Sequence, residues 1–305
     1  MSASNFSTYD QIGRVEDVSD VISTITPTKT PFLTSIGTGK KPKNRVVQWQ
    51  EDELASAADN AVIEGADAPD ASQTATTMRS NYTQIMSKAV KVTGTSEVIE
   101  LYGRSSELAY QLAKKGKEIK RDLEHALIGR VNNATVGSDA AARRFGNLLG
   151  TDANSVAMMH TDLVSLNGGT PRAFSETLLL GTMQDVYDAN GDFTTVMIKP
   201  SDSLIAANFA YATGRQRDMG NEGKIVNAVD GYKSPFGEAK FVLNRFMKTT
   251  EALVYDPDNM KLRWLRKWSR TLLAKTGDNE KHQLLGEMTF THANYKASGR
   301  IGDLS

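Results

Sequence analysis

A polar stretch from Glu51 to Thr77 sets the first limit on what this chain can fold into. Strand-like segments flank it. Arg45 to Gln50 precedes it, and Lys88 to Thr93 is expected to be the return strand, with Val90 and Val92 alternating against Lys91 and Thr93. Connections inside compact domains usually run about 4–6 residues, so one of this length either has a function or is disordered. It holds scattered alanines, Pro69 and few bulky apolar residues, too little to build a core of its own. Its acids are Glu51, Asp52, Glu53, Asp59, Glu64, Asp67 and Asp70, and no Lys or Arg interrupts them before Arg79. On charge alone, such a block reads as a solvated loop.

The strongest helical period runs from Ser105 to about Asn132, where Leu101, Leu108, Leu112, Ile119, Leu123, Leu127 and Val131 share one face. At 1.5 Å per residue this predicts a helix of roughly 40 Å. The opposite face carries Lys114, Lys115, Lys117, Lys120 and Arg121. Taken alone, that run is a solvated face paired locally with Glu118, Asp122 and Glu124.

Ahead of the loop, Val15, Val18, Val21, Ile22 and Ile25 recur at helical spacing until Pro27 and Pro31 interrupt them. The glycine- and lysine-rich stretch up to Lys43 then suits an extended arm. Beyond the long helix the chain alternates. Helices are expected near Ser175 to Ala189 and Asp202 to Ala210, the latter capped by Ser201, with a strand at Thr194 to Ile198 between them. Further strands are expected at Ile225 to Val229, Lys240 to Asn244, Ala252 to Tyr255, Lys261 to Leu265 and about Gln283 to Lys296. The turn Asp256-Pro257-Asp258-Asn259 predicts a hairpin between the third and fourth of these. The fold class is α+β.

The chain of 305 residues is long enough for two domains or one domain with large extensions. Lys plus Arg and Asp plus Glu each total 36, so net charge gives no bulk attraction to nucleic acid or membrane. The absence of cysteine excludes disulfides, thiolate nucleophiles and Cys-ligated metals. No stretch approaches the roughly 20 apolar residues of a membrane span, and a cytoplasm-like compartment is expected.

Motifs for chemistry are missing. Gly37-Thr38-Gly39-Lys40-Lys41 resembles a phosphate loop, but the earlier glycine is replaced by Thr34 and Pro42 blocks a following helix. Asp188, Asn190 and Asp192 lack the glycine and glutamate of a calcium loop and read as a helix end capped by Gly191. His125, His160, His282 and His292 are scattered, with no metal-binding spacing, and no Gly-x-Ser-x-Gly elbow occurs. No enzyme, cofactor or metal site is expected. Lys261, Arg263, Arg266, Lys267 and Arg270, interleaved with Trp264 and Trp268, can be a stacking and phosphate-binding surface or an amphipathic edge; zero net charge favours the edge.

Two passages are similar to a known family. Asp17-Val18-Ser19-Asp20-Val21-Ile22 followed by Thr26-Pro27-Thr28-Lys29-Thr30-Pro31-Phe32 resembles the opening of one group of tailed-phage major capsid proteins. Glu107 to Asp122, reading ELAYQLAKKGKEIKRD, resembles that group's spine helix, with further similarity at Ile198-Lys199-Pro200 and in the terminal strand. The resemblance implies the Hong Kong ninety-seven fold: an N-terminal arm (1–45), an extended loop (46–93), a peripheral domain with the spine helix (94–171), an axial domain (172–250) and a return to the peripheral domain (251–305). It implies hexamers and pentamers of an icosahedral shell around double-stranded DNA, assembled in the host cytoplasm. Portal protein and a separate scaffolding or decoration protein are the implied partners, DNA is contacted nonspecifically, and no membrane is involved. The expected departure from that family is at the front, where no long coiled-coil scaffolding segment is expected ahead of the arm.

The block charges suggest a contact between subunits. The acids of the loop, Glu51 to Asp70, are expected over a neighbour's basic spine face at Lys114, Lys117, Lys120 and Arg121. Two competing readings remain at this point, a cellular nanocompartment shell of the same fold and a nucleic-acid-binding module built on Trp264 and Trp268.

Overall fold

The computed structural model describes residues 26–67, 73–150, 160–161, 170–212 and 231–305. The expected helix through Val15 and Ile25 and the strand at Ile225 to Val229 lie outside them.

Helix α1 (Pro31–Ser35) starts on a proline, whose missing N–H costs nothing in a first turn. It leads into β1 (Gly37–Thr38), which pairs in parallel with Lys261 and Leu262. The Gly-Thr-Gly segment is therefore a strand edge; a Cβ on Gly39 would meet the Arg263 side chain at 2.8 Å. Next come β2 (Val46–Glu51) and β3 (Thr77–Tyr82), antiparallel from Val46 opposite Tyr82 to Glu51 opposite Thr77.

The expected return strand is thus corrected. The polar segment 77–82 pairs with β2, whereas β4 (Gln84–Thr93) runs antiparallel to the chain at Asn279 to Met288. Buried Thr83 makes the handover: its N–H donates to the Arg45 carbonyl at 2.9 Å and its hydroxyl to Glu287 Oε1 at 2.7 Å.

After α2 (Gly94–Val98), the spine helix α3 (Glu107–Glu124) begins at an N-cap, Ser106, whose side chain accepts from the Ala109 N–H at 3.2 Å. The helix is shorter than expected, 18 residues or about 27 Å, and continues as a π-turn at His125–Gly129. At Gly129 a Cβ would lie 2.4 Å from the His125 ring and 2.6 Å from the Phe246 carbonyl, so only glycine fits the end of that turn.

The second half contains β5 (His160–Thr161), α4 (Glu176–Asp188), β6 (Thr195–Ile198), α5 (Pro200–Ala212), β7 (Gly231–Ser234), β8 (Gly237–Leu243) and β9 (Ala252–Tyr255). Then follow β10 (Met260–Leu272), β11 (Asn279–His292) and β12 (Gly299–Ile301). Pro200 is the first residue of α5, which moves the helix start ahead of the expected Ser201 cap. At the end of α4 the left-handed residue is Asn190 (φ 60°), not Gly191. Gly191 is needed for space, because a Cβ there would sit 2.4 Å from Ala297 Cα.

The strands form a four-stranded sheet, β1-β10-β11-β4, a six-stranded sheet, β5-β12-β9-β6-β8-β7, and the β2-β3 ribbon. The turn at Asp256 forms, with the Asp256 side chain accepting from the Asp258 N–H at 3.2 Å, but it makes no hairpin. Both edges of β9 are taken by β6 and β12, and both edges of β10 by β1 and β11, so the turn passes the chain from one sheet to the other.

Strands β6 and β9 are buried along their whole length, and successive side chains face opposite sides of the sheet. Met197, Leu253 and Tyr255 enter one core with Phe32, Leu123, Leu127 and Phe290. Val196, Ile198 and Val254 enter the other with Leu179, Met183 and Val186 of α4 and Ala206 of α5. The two cores are the two faces of one sheet.

Candidate assembly surfaces

The hairpin that carries the acidic loop is tied down at its base. Glu51 accepts from Arg79 Nε at 2.9 Å and from the Trp49 indole N–H at 3.1 Å, and the Arg79 guanidinium lies 4.3 Å from the Tyr295 ring centre. Glu53 pairs with Lys296 at 2.6 Å. Asp52 and Asp59 accept from nearby backbone N–H groups of Glu53 and Ala61. Glu64 and Asp67 are exposed without an ion-pair partner among the described residues, and Asp70 lies outside those residues. Glu51 and Glu53 are thus ion-paired within the subunit, whereas Glu64 and Asp67 have no such partner among the described residues.

The loop also exposes apolar side chains, which its polar composition hid. Leu54 is 99% exposed, Val62 71% and Ile63 84%. The last two precede a turn closed by the Ala66 N–H on the Ile63 carbonyl at 3.0 Å, with Gly65 at φ 82°.

Helix α3 sorts its charges by face. Toward β4, Lys88 pairs with Glu118 (3.1 Å) and Asp122 (2.8 Å), while Lys115 pairs with Glu118 (2.8 Å). Lys114, Lys117 and Lys120 are exposed and Arg121 is half-buried; among the described residues none of the four makes an ion pair. Local pairing therefore accounts for Lys115 alone. No ion pair among the described residues joins the loop acids to this basic face within one subunit.

Glu124, expected to pair on the surface, is fully buried instead. Its carboxylate accepts from the N–H groups of Phe32 (2.8 Å) and Leu33 (2.7 Å) and from the Asn244 amide (2.6 Å). Burial raises its pKa, against the pull of those donors and the Lys120 charge. The residue anchors α1 to the spine helix and to the end of β8.

Two more buried acids went unnoticed in the sequence. Glu287 is opposed by burial, yet the Thr83 hydroxyl and the Arg266 and Arg143 guanidinium groups hold its carboxyl below the usual carboxylate range. Glu251 forms a two-point pair with Arg300, at 2.6 and 2.7 Å. Only three-dimensional partners reveal such residues. His292, also fully buried, has its imidazole pushed down to about 3 by desolvation and lies 3.1 Å from the Ser298 hydroxyl.

The tryptophan and arginine patch is built as a structural edge. Trp264 packs on the first core and meets Trp268 edge-on at 5.3 Å. Trp268 lies against Gly286 on the facing strand, where a Cβ would be 2.4 Å from its ring, and β10 is irregular on both sides of Arg266. Arg266 is committed to Glu287 at 2.8 Å.

Comparison with known proteins agrees with these features. The family model described as SU10 major capsid protein matches residues 2–305. A major capsid protein of Escherichia phage Phieco32 is 32% identical over 337 residues, covering 96% of this chain and 95% of that protein. Among solved structures, the cyanophage A-1(L) capsid asymmetric unit superposes with a TM-score of 0.68 at 10% identity, covering 98% of each chain. A chain of Gordonia phage Cozz gives 0.63 at 12% identity, covering 100% of this chain and 97% of that one. These likenesses place the architecture in the Hong Kong ninety-seven capsid fold. Matched by the family model from its second residue to its last, the chain belongs to the SU10 major capsid protein family.

Proposed function

We propose that copies of this major capsid protein assemble into hexamers and pentamers of an icosahedral shell around double-stranded phage DNA, in the host cytoplasm. One observation carries the reading: among the described residues Glu64 and Asp67 of the loop and Lys114, Lys117, Lys120 and Arg121 of the spine helix have no ion-pair partner, and the loop holds apolar side chains in water. Burying apolar surface and pairing such charges is what association supplies. The tip acids Glu64, Asp67 and Asp70 lie over Lys114, Lys117, Lys120 and Arg121 of a neighbour, while Glu51, Asp52 and Glu53 position the base of the loop. Exposed pairs contribute about 0–1 kcal/mol each, so they set register and rate more than total affinity.

Within this reading the four-stranded sheet and α3 form the peripheral domain, residues 172–250 the axial domain, and residues before 45 the arm, whose α1 and β1 seat on the subunit's own core and sheet. The β2–β3 ribbon and its connection form the extended loop. Portal and scaffolding or decoration proteins are the partners such a shell requires, and DNA is touched nonspecifically. Negative-stain microscopy of the purified chain, alone and with the products of neighbouring genes, tests the proposal. Shells or six- and five-membered rings are expected; dispersed monomers under both conditions would overturn it.

A further inference from the structure

We propose that the free edge of β4 is a docking site for an extended acidic segment of a second protein, which adds a strand to the four-stranded sheet beside the spine helix. The proposal rests on the shell reading and names the surface that holds one of its accessory partners.

Strand β4 ends the sheet order and pairs with β11 alone, from Thr93 opposite Asn279 to Gln84 opposite Met288. Among the described residues no backbone hydrogen bond reaches its outer edge. A row of unpaired N–H and C=O groups recruits other strands, so exposed edges are normally blunted by short length, proline, a bulge or a covering element. The opposite edge of the sheet follows that rule: β1 takes Lys261 and Leu262 of β10, and beyond them two register breaks flank Arg266. The β4 edge does not, being ten residues long with no proline and no break. On the face turned away from α3, Ile85, Ser87, Ala89, Lys91 and Thr93 are all exposed. A cleft of about 310 Å³ lies along the edge, between residues 89–93 and Glu107, Gln111 and Lys115 of α3, and no residue of β11 lines it. A strand edge and a helix thus flank a slot of the kind that takes an extended peptide.

Charge selects the occupant. Lys88 faces α3 and is neutralised by Glu118 and Asp122. Lys91, three residues on, points to the other face, where the register sets it directly opposite Lys281. Both lysines are exposed, and neither has an ion-pair partner among the described residues. Like charges directly opposite on a sheet are destabilising, so the subunit by itself carries an unrelieved repulsion here. The diagonal neighbours, Ala89, Thr93, Asn279 and Gln283, include no acid. A carboxylate on an added strand beside Lys91 relieves the repulsion. The β4 of a second copy does not, because QIMSKAVKVT holds two lysines and no acid.

Particles assembled with the products of neighbouring genes are treated with a carbodiimide, which couples lysine amines to carboxylates they touch, and the linked peptides are identified by mass spectrometry. Lys91 or Lys281 is expected to be joined to an Asp or Glu of a different protein. Links only to acids of this chain, such as those between Glu51 and Asp70, or no links at all, would overturn the site. A second readout separates docking from folding. Lys281→Glu turns the repelling pair into an attracting one, so the Tm of the free subunit is expected to rise while particles retain roughly tenfold less of the second protein. Unchanged retention would overturn the site, and a lowered Tm would remove the repulsion on which it rests. If unmodified chains build no shells, the shell reading fails; shells whose two lysines meet no second protein strike the edge site alone.

Discussion

A carboxylate removed from water needs donors, and Glu124 has three, contributed by segments far apart in the chain. Two are backbone N–H groups of α1, so the side chain also acts as a cap for a helix too short to stand alone. Glu124→Ala leaves these donors buried and unpaired, at about 1–3 kcal/mol each. The expected loss of subunit stability is about 3 kcal/mol or more, read from the midpoint of urea unfolding. Limited proteolysis should then cut first near Pro31, where the anchor has been released. In the sequence, Glu124 sits next to a lysine-rich run and reads as one more surface partner; its real donors, at residues 32, 33 and 244, are invisible to any local pattern. The same blindness applies to Glu251 and Glu287, whose arginine partners come from other segments of the chain.

Among elements, the spine helix was the most legible, because its apolar period is a local property of one segment. Its end was not, since Gly129 is set by contact with His125 and Phe246. Strands β6 and β9 were recognisable as short apolar runs, but their partners were not. The turn at Asp256 has hairpin chemistry, and competition for strand edges elsewhere decides against a hairpin. The β3 strand was missed because Thr77 to Tyr82 is polar, its pairing with β2 resting on backbone hydrogen bonds more than burial. The charge sorting on α3 yields a prediction at this scale. Reversing Lys114, Lys117 and Arg121 to Glu should slow assembly and invert its response to salt, as followed by light scattering from 50 to 500 mM NaCl, with the subunit's Tm little changed. Assembly and salt dependence identical to the unmodified protein would remove the loop-to-spine contact.

For the molecule as a whole, the shared sheet matters more than any division into domains. Because β6 and β9 present alternate side chains to both cores, neither core can melt without exposing the back of the other. Unfolding is therefore expected to be a single transition. Trp49, Trp264 and Trp268 all lie on β2 and β10, whereas α4 and α5 lie over the opposite core, so tryptophan fluorescence follows the first side alone while far-ultraviolet circular dichroism sums the helices of both. Their urea midpoints should coincide; fluorescence changing first would show that the cores are independent. With coinciding midpoints, the basic face of α3 and the β2–β3 ribbon belong to one cooperative unit.

The meeting of Phe32 with Phe290, their ring centres 6.3 Å apart, carries a consequence for the order of events during synthesis. The Asn81 amide, which donates to the Phe290 carbonyl from 209 residues away, repeats the pattern at the root of the loop. The Glu124 anchor of α1 is made early, but synthesis must pass residue 290 before the aromatic side of its seat exists. Until that moment the nascent polypeptide lacks part of the seat of its first described helix and the strand that orients its loop, so newly made chains are expected to complete β11 before they can engage one another.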